Sequence, residues 1–204
     1  MQIMPLGDSI TFGINYPGGY RINLEALLAQ KDIVVNFLGS QENGPASLKS
    51  KHNEGHPGWS IQHLAQNTPA WLDIYKPEII LLMIGTNDLW VDEASQKPDV
   101  DAALNQLKIL VSTIVQKMPT SKIVIASVPP SPFFWNQYVI EYNSGIKEFV
   151  STEAKSNNNL QFADVYGAMS VNDLDQNDGM GGVHPSSQGY NKIAATFFAA
   201  LMSR

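Results

Sequence analysis

The chain begins with a short apolar run that ends in a turn of small and polar residues, Gln2-Ile3-Met4-Pro5-Leu6-Gly7-Asp8-Ser9-Ile10-Thr11-Phe12-Gly13. A helical pattern follows from about Tyr20. This order predicts a buried strand that places Ser9 at its carboxyl end, where ligands bind in an open parallel sheet. By itself the turn permits two interpretations, an ordinary surface turn or a nucleophile on a rigid element. The later segments favour the nucleophile.

Four further stretches have the composition of strands, and helical patterns separate them. The strands are predicted at residues 33–38, 78–84, 122–128 and 160–164, and the helices at 20–29, 60–65, 71–75, 101–118 and 138–154, with a final helix opened by Pro185. Alternating strands and helices predict right-handed βαβ units. We therefore expect an α/β fold, a three-layer α/β/α sandwich around a five-stranded parallel sheet. The expected strand order is 2-1-3-4-5, which is flavodoxin-like, in a single domain over residues 1–204.

Composition narrows the class of protein. With 204 residues, 44% of them hydrophobic, the chain can bury a sizeable core in one domain. A net charge of −6 argues against nucleic acid or an anionic membrane surface as the main partner. The chain has no cysteine, which excludes disulfides and thiolate catalysis, and it has no apolar run long enough to span a membrane. The sequence carries no signal for an oligomeric state.

The start of the chain bears on its location. The first predicted strand begins almost at Met1 and leaves no room for a signal peptide. The chain is therefore expected to be either cytoplasmic or a mature fragment from which a leader was removed.

Polar residues gather just beyond three of the strands and before the last helix. The four blocks are Gly7-Asp8-Ser9, His56-Pro57-Gly58, Gly85-Thr86-Asn87-Asp88 and Gly182-Val183-His184-Pro185. The carboxyl ends of parallel strands share one edge, so the blocks are expected to converge there. Ser9 supplies a hydroxyl and His184 an imidazole that accepts its proton. The N–H groups of Ser9 and Gly58 and the amide of Asn87 are candidate donors to an oxyanion. This set is complete for acyl transfer.

In their order and positions, these blocks resemble those of the SGNH-hydrolase (GDSL esterase/lipase) superfamily, and the resemblance spans essentially the whole chain. It implies that Ser9 is the nucleophile and His184 the general base, with Ser9, Gly58 and Asn87 forming the oxyanion hole. It also implies the sandwich fold and catalysis without a metal or other cofactor.

The chain departs from the family at the acid of the triad. The family usually has Asp three residues before the histidine, where this chain has Gly181, whereas Asp178 lies six residues before it. One account is a three-residue insertion that still lets Asp178 reach the imidazole. The other is a Ser–His dyad in which a backbone carbonyl orients His184. We favour Asp178.

A second resemblance concerns the substrate. The stretch 53–61 and the opening stretch 3–9 resemble those of carbohydrate esterase family 3, the acetyl xylan esterases. This implies a serine esterase acting on short-chain esters, acetyl above all, of a small-molecule or polysaccharide substrate. Trp59, Trp90 and Trp135 are candidates for stacking on sugar rings, although aromatic residues in loops also serve as partial core.

Other interpretations stay open. A thioesterase or lysophospholipase would use the same residues on another acyl carrier, and a non-catalytic flavodoxin-like domain that binds FMN or a sugar would not use them. His52, Glu54 and His56 suggest a metal site, but further strong ligands are missing from the loop. We expect these three residues to be surface polar residues, and we expect no metal.

Overall fold

The computed structural model describes residues 1–90 and 97–203. The strands are β1 (Gln2–Gly7), β2 (Asn36–Phe37), β3 (Gln41–Glu42), β4 (His52–Gly55), β5 (Ile79–Met83), β6 (Lys122–Ala126) and β7 (Leu160–Ala163). The helices are α1 (Ser9–Phe12), α2 (Tyr20–Ala29), α3 (Ile61–Tyr75), α4 (Thr86–Leu89), α5 (Val100–Lys117), α6 (Asn136–Glu153), α7 (Val165–Ala168) and α8 (Ser187–Met202). A 3-10 turn covers Val171–Asp173.

The strands form one mixed, mostly parallel sheet. Across the described residues its order is β3-β4-β1-β5-β6-β7, with β2 also paired to β1. All pairs are parallel except β3 with β4. All five predicted strands are present in the predicted order. Helices cover both faces of the sheet, which confirms the three-layer α/β/α fold.

The short strands β3 and β4 were not predicted, and they affect the position of the candidate site. In the register of the sheet, β2 lies beside the start of β1, at Gln2, whereas β4 lies beside its end, at Leu6 and Gly7. The loop after β2 therefore returns to the sheet and places residues 56–60 next to Ser9. Strand β4 is buried but polar in sequence, His52-Asn53-Glu54-Gly55, and hydrogen bonds rather than apolar contacts satisfy it. For that reason hydrophobic patterning did not reveal it.

The core follows the apolar runs. Strand β5 is buried along its whole length, as expected for a central parallel strand covered on both faces. Helix α2 packs against α8, and α5 packs against both α3 and α6. In the described part of the chain, no helix has the length and apolar character needed to cross a membrane.

Two helix predictions need correction. Residues 61–65 and 71–75 belong to one continuous helix, α3, which contains Pro69, and Ser60 is its N-cap. The last helix begins at Ser187 with Ser186 as its N-cap, not at Pro185. Pro185 instead forms an antiparallel bridge with Leu174, and this extended conformation delays the helix.

Candidate active site

Ser9 and His184 lie within hydrogen-bonding distance at the carboxyl edge of the sheet. Ser9 is the first residue of α1, immediately after β1, and Asp8 caps that helix by accepting the N–H of Ile10 at 2.9 Å. The Ser9 Oγ lies 3.0 Å from the His184 Nε2. His184 is held just before α8 and is 3% exposed. The hydroxyl therefore has an imidazole placed to accept its proton.

Asp178 completes a line of three side chains. Its Oδ2 lies 3.1 Å from the His184 Nδ1, and no part of its side chain is accessible to solvent. With the proton on Nδ1, the imidazole donates to Asp178 and leaves Nε2 free to accept from Ser9. The structure thus brings together the three residues that the sequence analysis names as a candidate triad, despite the unusual spacing.

The glycine-rich loop explains how an aspartate six residues away reaches the histidine. The loop folds around the carboxylate, so that Asp178 Oδ1 accepts the N–H groups of Met180 and Gly182 and Oδ2 accepts those of Val183 and His184. Gly179, Gly181 and Gly182 all have positive φ, between 77° and 95°, which favours glycine and permits this tight wrapping.

These donors control the charge of Asp178. Burial opposes its ionisation, but the four backbone N–H groups outweigh that effect and lower its pKa from 3.8 to about 2. The carboxylate therefore stabilises the folded state above the unfolded pKa, and this contribution is lost as the pH falls through about 2. Asp178 is an anion throughout the range in which a histidine ordinarily titrates.

Two candidate oxyanion donors lie on neighbouring segments. Gly58 is exposed and has a φ of 79°, which glycine adopts without strain. Asn87 lies in α4, directly after β5, and its Nδ2 donates one hydrogen to the Trp59 carbonyl at 2.8 Å. An amide nitrogen carries two hydrogens, so this bond orients the second one. The backbone N–H of Ser9, in the first turn of α1, has no partner within that helix.

A further contact, made by Asp88, ties these two segments together. Its carboxylate accepts the N–H of Ile61, with both oxygens within 3.2 Å. The α4 turn is thus linked to the start of α3 as well as to Trp59.

The three predicted sugar-binding tryptophans differ in exposure. Trp90 is 36% exposed, and Trp59 is half-buried. Trp135 is only 3% exposed and packs under Trp90 and Phe133, with ring centroids 5.6 and 6.0 Å away, so its ring is not available to a ligand. This corrects the interpretation of Trp135, because the backbone after β6 folds it inward.

The aromatic cluster also touches the loop of Asp178. A Cβ on Gly181 would lie 3.0 Å from the Phe133 ring, which means that the ring packs directly on that glycine. Phe134 and Met180 are about half exposed beside these residues in sequence. The sequence identified Trp90 and Trp135 as candidates but carried no signal for which of them faces solvent.

A small cavity is lined by sequence neighbours of the candidate site residues. Its volume is about 10 Å³, roughly enough for one water-sized group. The cavity is lined by Ile10, Thr86, Val128, Pro129, Pro130, Ser131, Trp135, Val139 and Val183. Three of these residues are next in sequence to Ser9, Asn87 and His184.

Of His52, Glu54 and His56, the three residues expected at the surface, two are buried. Glu54 is inaccessible and His56 is 8% exposed, and only His52 of the three is exposed. The prediction of surface residues is therefore wrong for Glu54 and His56 and confirmed for His52, since strand β4 carries Glu54 into the sheet. Among residues 1–90 and 97–203, no three His, Cys, Asp or Glu side chains come together to hold a metal ion.

Replacing Asp8 with asparagine is expected to change how stability depends on pH. Burial raises the pKa of Asp8 to about 7, against the hydrogen bond from Ile10 and with help from the nearby charge of Asp88. Between the unfolded pKa of 3.8 and about 7 the folded chain therefore binds the extra proton, and its stability falls as the pH rises. The asparagine oxygen still accepts from Ile10. We expect Asp8→Asn to match the stability of the wild type near about pH 3, where Asp8 is protonated in both states, and to exceed it near about pH 8.

Urea unfolding at the two pH values measures this difference. Asp164→Asn is the matched control, because Asp164 is also a helix-capping aspartate but is exposed. An equal difference between wild type and Asp8→Asn at both pH values would show that folding does not raise the pKa of Asp8.

Comparison with known proteins places this chain in a family. The family model described as GDSL-like Lipase/Acylhydrolase matches residues 3–197. The multidomain esterase of Ruminococcus flavefaciens is 28% identical over 221 residues, which cover 95% of this chain and 27% of the relative. The chain therefore spans about a quarter of that protein's length.

Solved structures agree. A family 3 carbohydrate esterase of Clostridium thermocellum is 32% identical, with 99% of this chain and 95% of that one covered and a TM-score of 0.84. A family 3 carbohydrate esterase from Talaromyces cellulolyticus has the same fold, with 23% identity, 99% and 96% coverage and a TM-score of 0.82. The chain belongs to the GDSL-like lipase/acylhydrolase family of serine ester hydrolases and is close to the family 3 carbohydrate esterases.

Proposed function

We propose that the chain hydrolyses short acyl esters, acetyl esters above all, on a carbohydrate, and that Ser9, His184 and Asp178 carry out the reaction. The observation that carries this proposal is the line from Ser9 through His184 to Asp178, with contacts of 3.0 and 3.1 Å. Two segments at the same edge of the sheet carry the other candidate donors, the backbone N–H of Gly58 and the side-chain amide of Asn87. We also propose that residues 1–204 act as one catalytic domain, because the strands leading to the site belong to one sheet.

The proposed reaction has two halves. The Ser9 Oγ attacks the ester carbonyl carbon while its proton passes to His184 Nε2, and the Ser9 N–H, the Gly58 N–H and the Asn87 amide hold the resulting oxyanion. The intermediate collapses, the sugar oxygen takes the proton from His184, and acetyl-Ser9 remains. Water then loses a proton to His184 as it attacks the acetyl carbonyl. In the second collapse His184 returns that proton to the Ser9 Oγ, which frees acetic acid and the Ser9 hydroxyl.

Two features support a short acyl group on a sugar. A cavity of about 10 Å³, lined by Ile10 and Val183, the neighbours in sequence of Ser9 and His184, has room for roughly a methyl group but not for a chain. The partly exposed rings of Trp90 and Trp59 lie next in sequence to α4 and Gly58 and offer flat apolar faces of the kind on which sugar rings stack. The relative at 32% identity is itself named a carbohydrate esterase.

Acetate release from acetylated xylooligosaccharides, with and without Trp90, tests the substrate. Trp90→Ala is expected to raise KM for the oligosaccharide by about tenfold or more, because it removes a large apolar contact. It should leave kcat/KM for p-nitrophenyl acetate within about twofold of the wild type, since that ester has no sugar ring to stack on Trp90. Val34→Ala is the control, because Val34 is also exposed but lies by the amino end of β1.

The acyl specificity needs a separate measurement. A series of p-nitrophenyl esters from acetate to octanoate, together with an acyl-thioester, is expected to show the highest kcat/KM for acetate. A preference for the thioester or for long chains would favour a thioesterase or lysophospholipase and would contradict the proposed substrate.

A further inference from the structure

A second histidine–carboxylate pair is buried beside the candidate site. His56 Nε2 lies 2.8 Å from Glu54 Oε2, and the Glu54 side chain is inaccessible to solvent. The same carboxylate accepts two hydrogen bonds from Ser40, from its N–H at 2.7 Å and from its hydroxyl at 2.9 Å. Glu54 therefore has three donors, and its position is closely determined.

Such a pair is not needed for stability alone. Removing a carboxylate and an imidazole from water is costly, and well-packed apolar residues of similar volume are often as stable or more so. What a hydrogen-bonded pair adds is a defined orientation. The position of His56 affects two parts of the candidate site, the loop that carries Gly58 and the end of β1 before Ser9.

The first part is the turn of residues 56–59, which contains the candidate oxyanion donor Gly58. The His56 ring stacks on Trp59, with centroids 4.1 Å apart and planes inclined by 19°, and on Trp71, at 4.9 Å and 3°. The His56 carbonyl also accepts the N–H of Trp59 at 3.1 Å, and this turn encloses Gly58. The position of the Gly58 N–H thus depends on how His56 and Trp59 are held.

The same tryptophan determines the other donor. The carbonyl of Trp59 accepts one hydrogen of the Asn87 amide at 2.8 Å, and this bond leaves the second hydrogen pointing in a defined direction. Two of the three candidate oxyanion donors are therefore attached to Trp59, whose ring stacks on the His56 side chain and whose N–H is held by the His56 backbone carbonyl.

The second part is the end of β1, which directly precedes the candidate nucleophile Ser9. The N–H of His56 donates to the carbonyl of Gly7 at 3.0 Å, at the end of β1 and two residues before Ser9. His56 consequently connects the strand that carries the nucleophile to the loop that carries the oxyanion donors. A shift of about 1 Å between such groups can cost about a hundredfold in rate.

We infer that His56 and Glu54 are positioning residues that hold Trp59, and through it Gly58 and Asn87, in register with Ser9. This inference rests on the proposed oxyanion hole. Neither side chain needs to touch the substrate, and their effect is on the transition state rather than on substrate binding.

Kinetics of His56 variants test the inference, with every protein assayed on the p-nitrophenyl ester that the wild type hydrolyses best. His56→Ala is expected to lower kcat by about 10- to 100-fold with KM within about twofold, because the donors are displaced but the binding surface is not. His56→Gln is expected to retain kcat within about fivefold of the wild type, since its amide can still donate to Glu54 and lie flat on Trp59.

A control separates positioning from stability. Ser121→Ala removes a buried hydrogen bond, from Ser121 Oγ to the Pro77 carbonyl, at the opposite edge of the sheet. It is expected to lower the melting temperature and leave kcat unchanged. Ser40→Ala is the milder variant if His56→Ala does not fold, because it removes one of the three donors to Glu54, and a kcat about two- to fivefold lower is expected.

The outcomes are distinct. A folded His56→Ala with unchanged kcat, an equal loss in His56→Ala and His56→Gln, or an unchanged Ser40→Ala in the absence of a folded His56→Ala would each overturn the inference. A wild-type preference for long-chain esters would contradict the proposed substrate but leave this comparison valid.

Discussion

Replacing Ser9 with alanine is expected to lower kcat for a short-chain ester by about six orders of magnitude, as removal of a serine nucleophile does in another serine hydrolase. The substitution removes the only atom that forms the acyl-enzyme bond in the proposed reaction, and His184 alone cannot replace it. The chain should remain folded, because the lost hydroxyl makes one hydrogen bond, to His184 Nε2, and the Asp8 cap of α1 is untouched.

Steady-state kinetics with p-nitrophenyl acetate, and labelling with a serine-directed fluorophosphonate, measure this effect. The wild type should react with the probe and Ser9→Ala should not. Ser156→Ala serves as the control, since this exposed serine follows α6 and hydrogen-bonds only to the nearby Glu153 carbonyl among the described residues. Equal rates for wild type and a folded Ser9→Ala would identify Ser9 as a turn residue and favour a non-catalytic binding domain.

Replacing Asp178 with asparagine is expected to lower kcat by about 10³- to 10⁴-fold. Asparagine removes the negative charge that stabilises the imidazolium of His184. It also has only one acceptor oxygen, whereas both oxygens of Asp178 accept backbone N–H groups, so its amide hydrogens must face a donor. The histidine would then lose its orientation as well as its charged partner.

Asp175→Asn is the matched control in the same loop. The Asp175 carboxylate accepts the N–H of Asn177 at 3.0 Å, so we expect kcat to change by less than about twofold. Circular dichroism and the melting temperature would show whether Asp178→Asn retains the fold. A folded Asp178→Asn that keeps more than about a tenth of the wild-type kcat would favour the Ser–His dyad over the triad.

The fold could be predicted where the signal was local. The apolar run of β5 and the helical period of α5 identify those elements directly, because burial on two faces or on one face produces a recognisable pattern. Strand β4 could not be predicted in this way. Its Glu54 is buried through hydrogen bonds from Ser40, a residue 14 positions away, and the hydropathy pattern does not record such a partner.

The candidate site was predicted in part for similar reasons. Ser9, Gly58, Asn87 and His184 follow from short blocks and the family resemblance, and the topology brings the elements that carry them to one edge. The sequence could not decide between Asp178 and a backbone carbonyl as the partner of His184, because that depends on how the loop wraps the Asp178 carboxylate. It also could not show that Trp90 is exposed and Trp135 buried, because that depends on how the two rings pack.

By itself the sequence determined the α/β class and the segments that follow the five predicted strands, because alternating apolar runs and helices leave few right-handed arrangements. It left the spatial order of the strands, and the place of β4 beside β1, to the tertiary structure. Tertiary structure alone decided the distances on which chemistry depends. Ser9 and His184 are 175 residues apart in sequence but 3.0 Å apart in space, and His56 acquires its partners Glu54, Trp59 and Trp71 only when β4 joins the sheet. Such contacts are made between segments whose individual patterns carry no record of each other, so only the packed sheet and its loops define them.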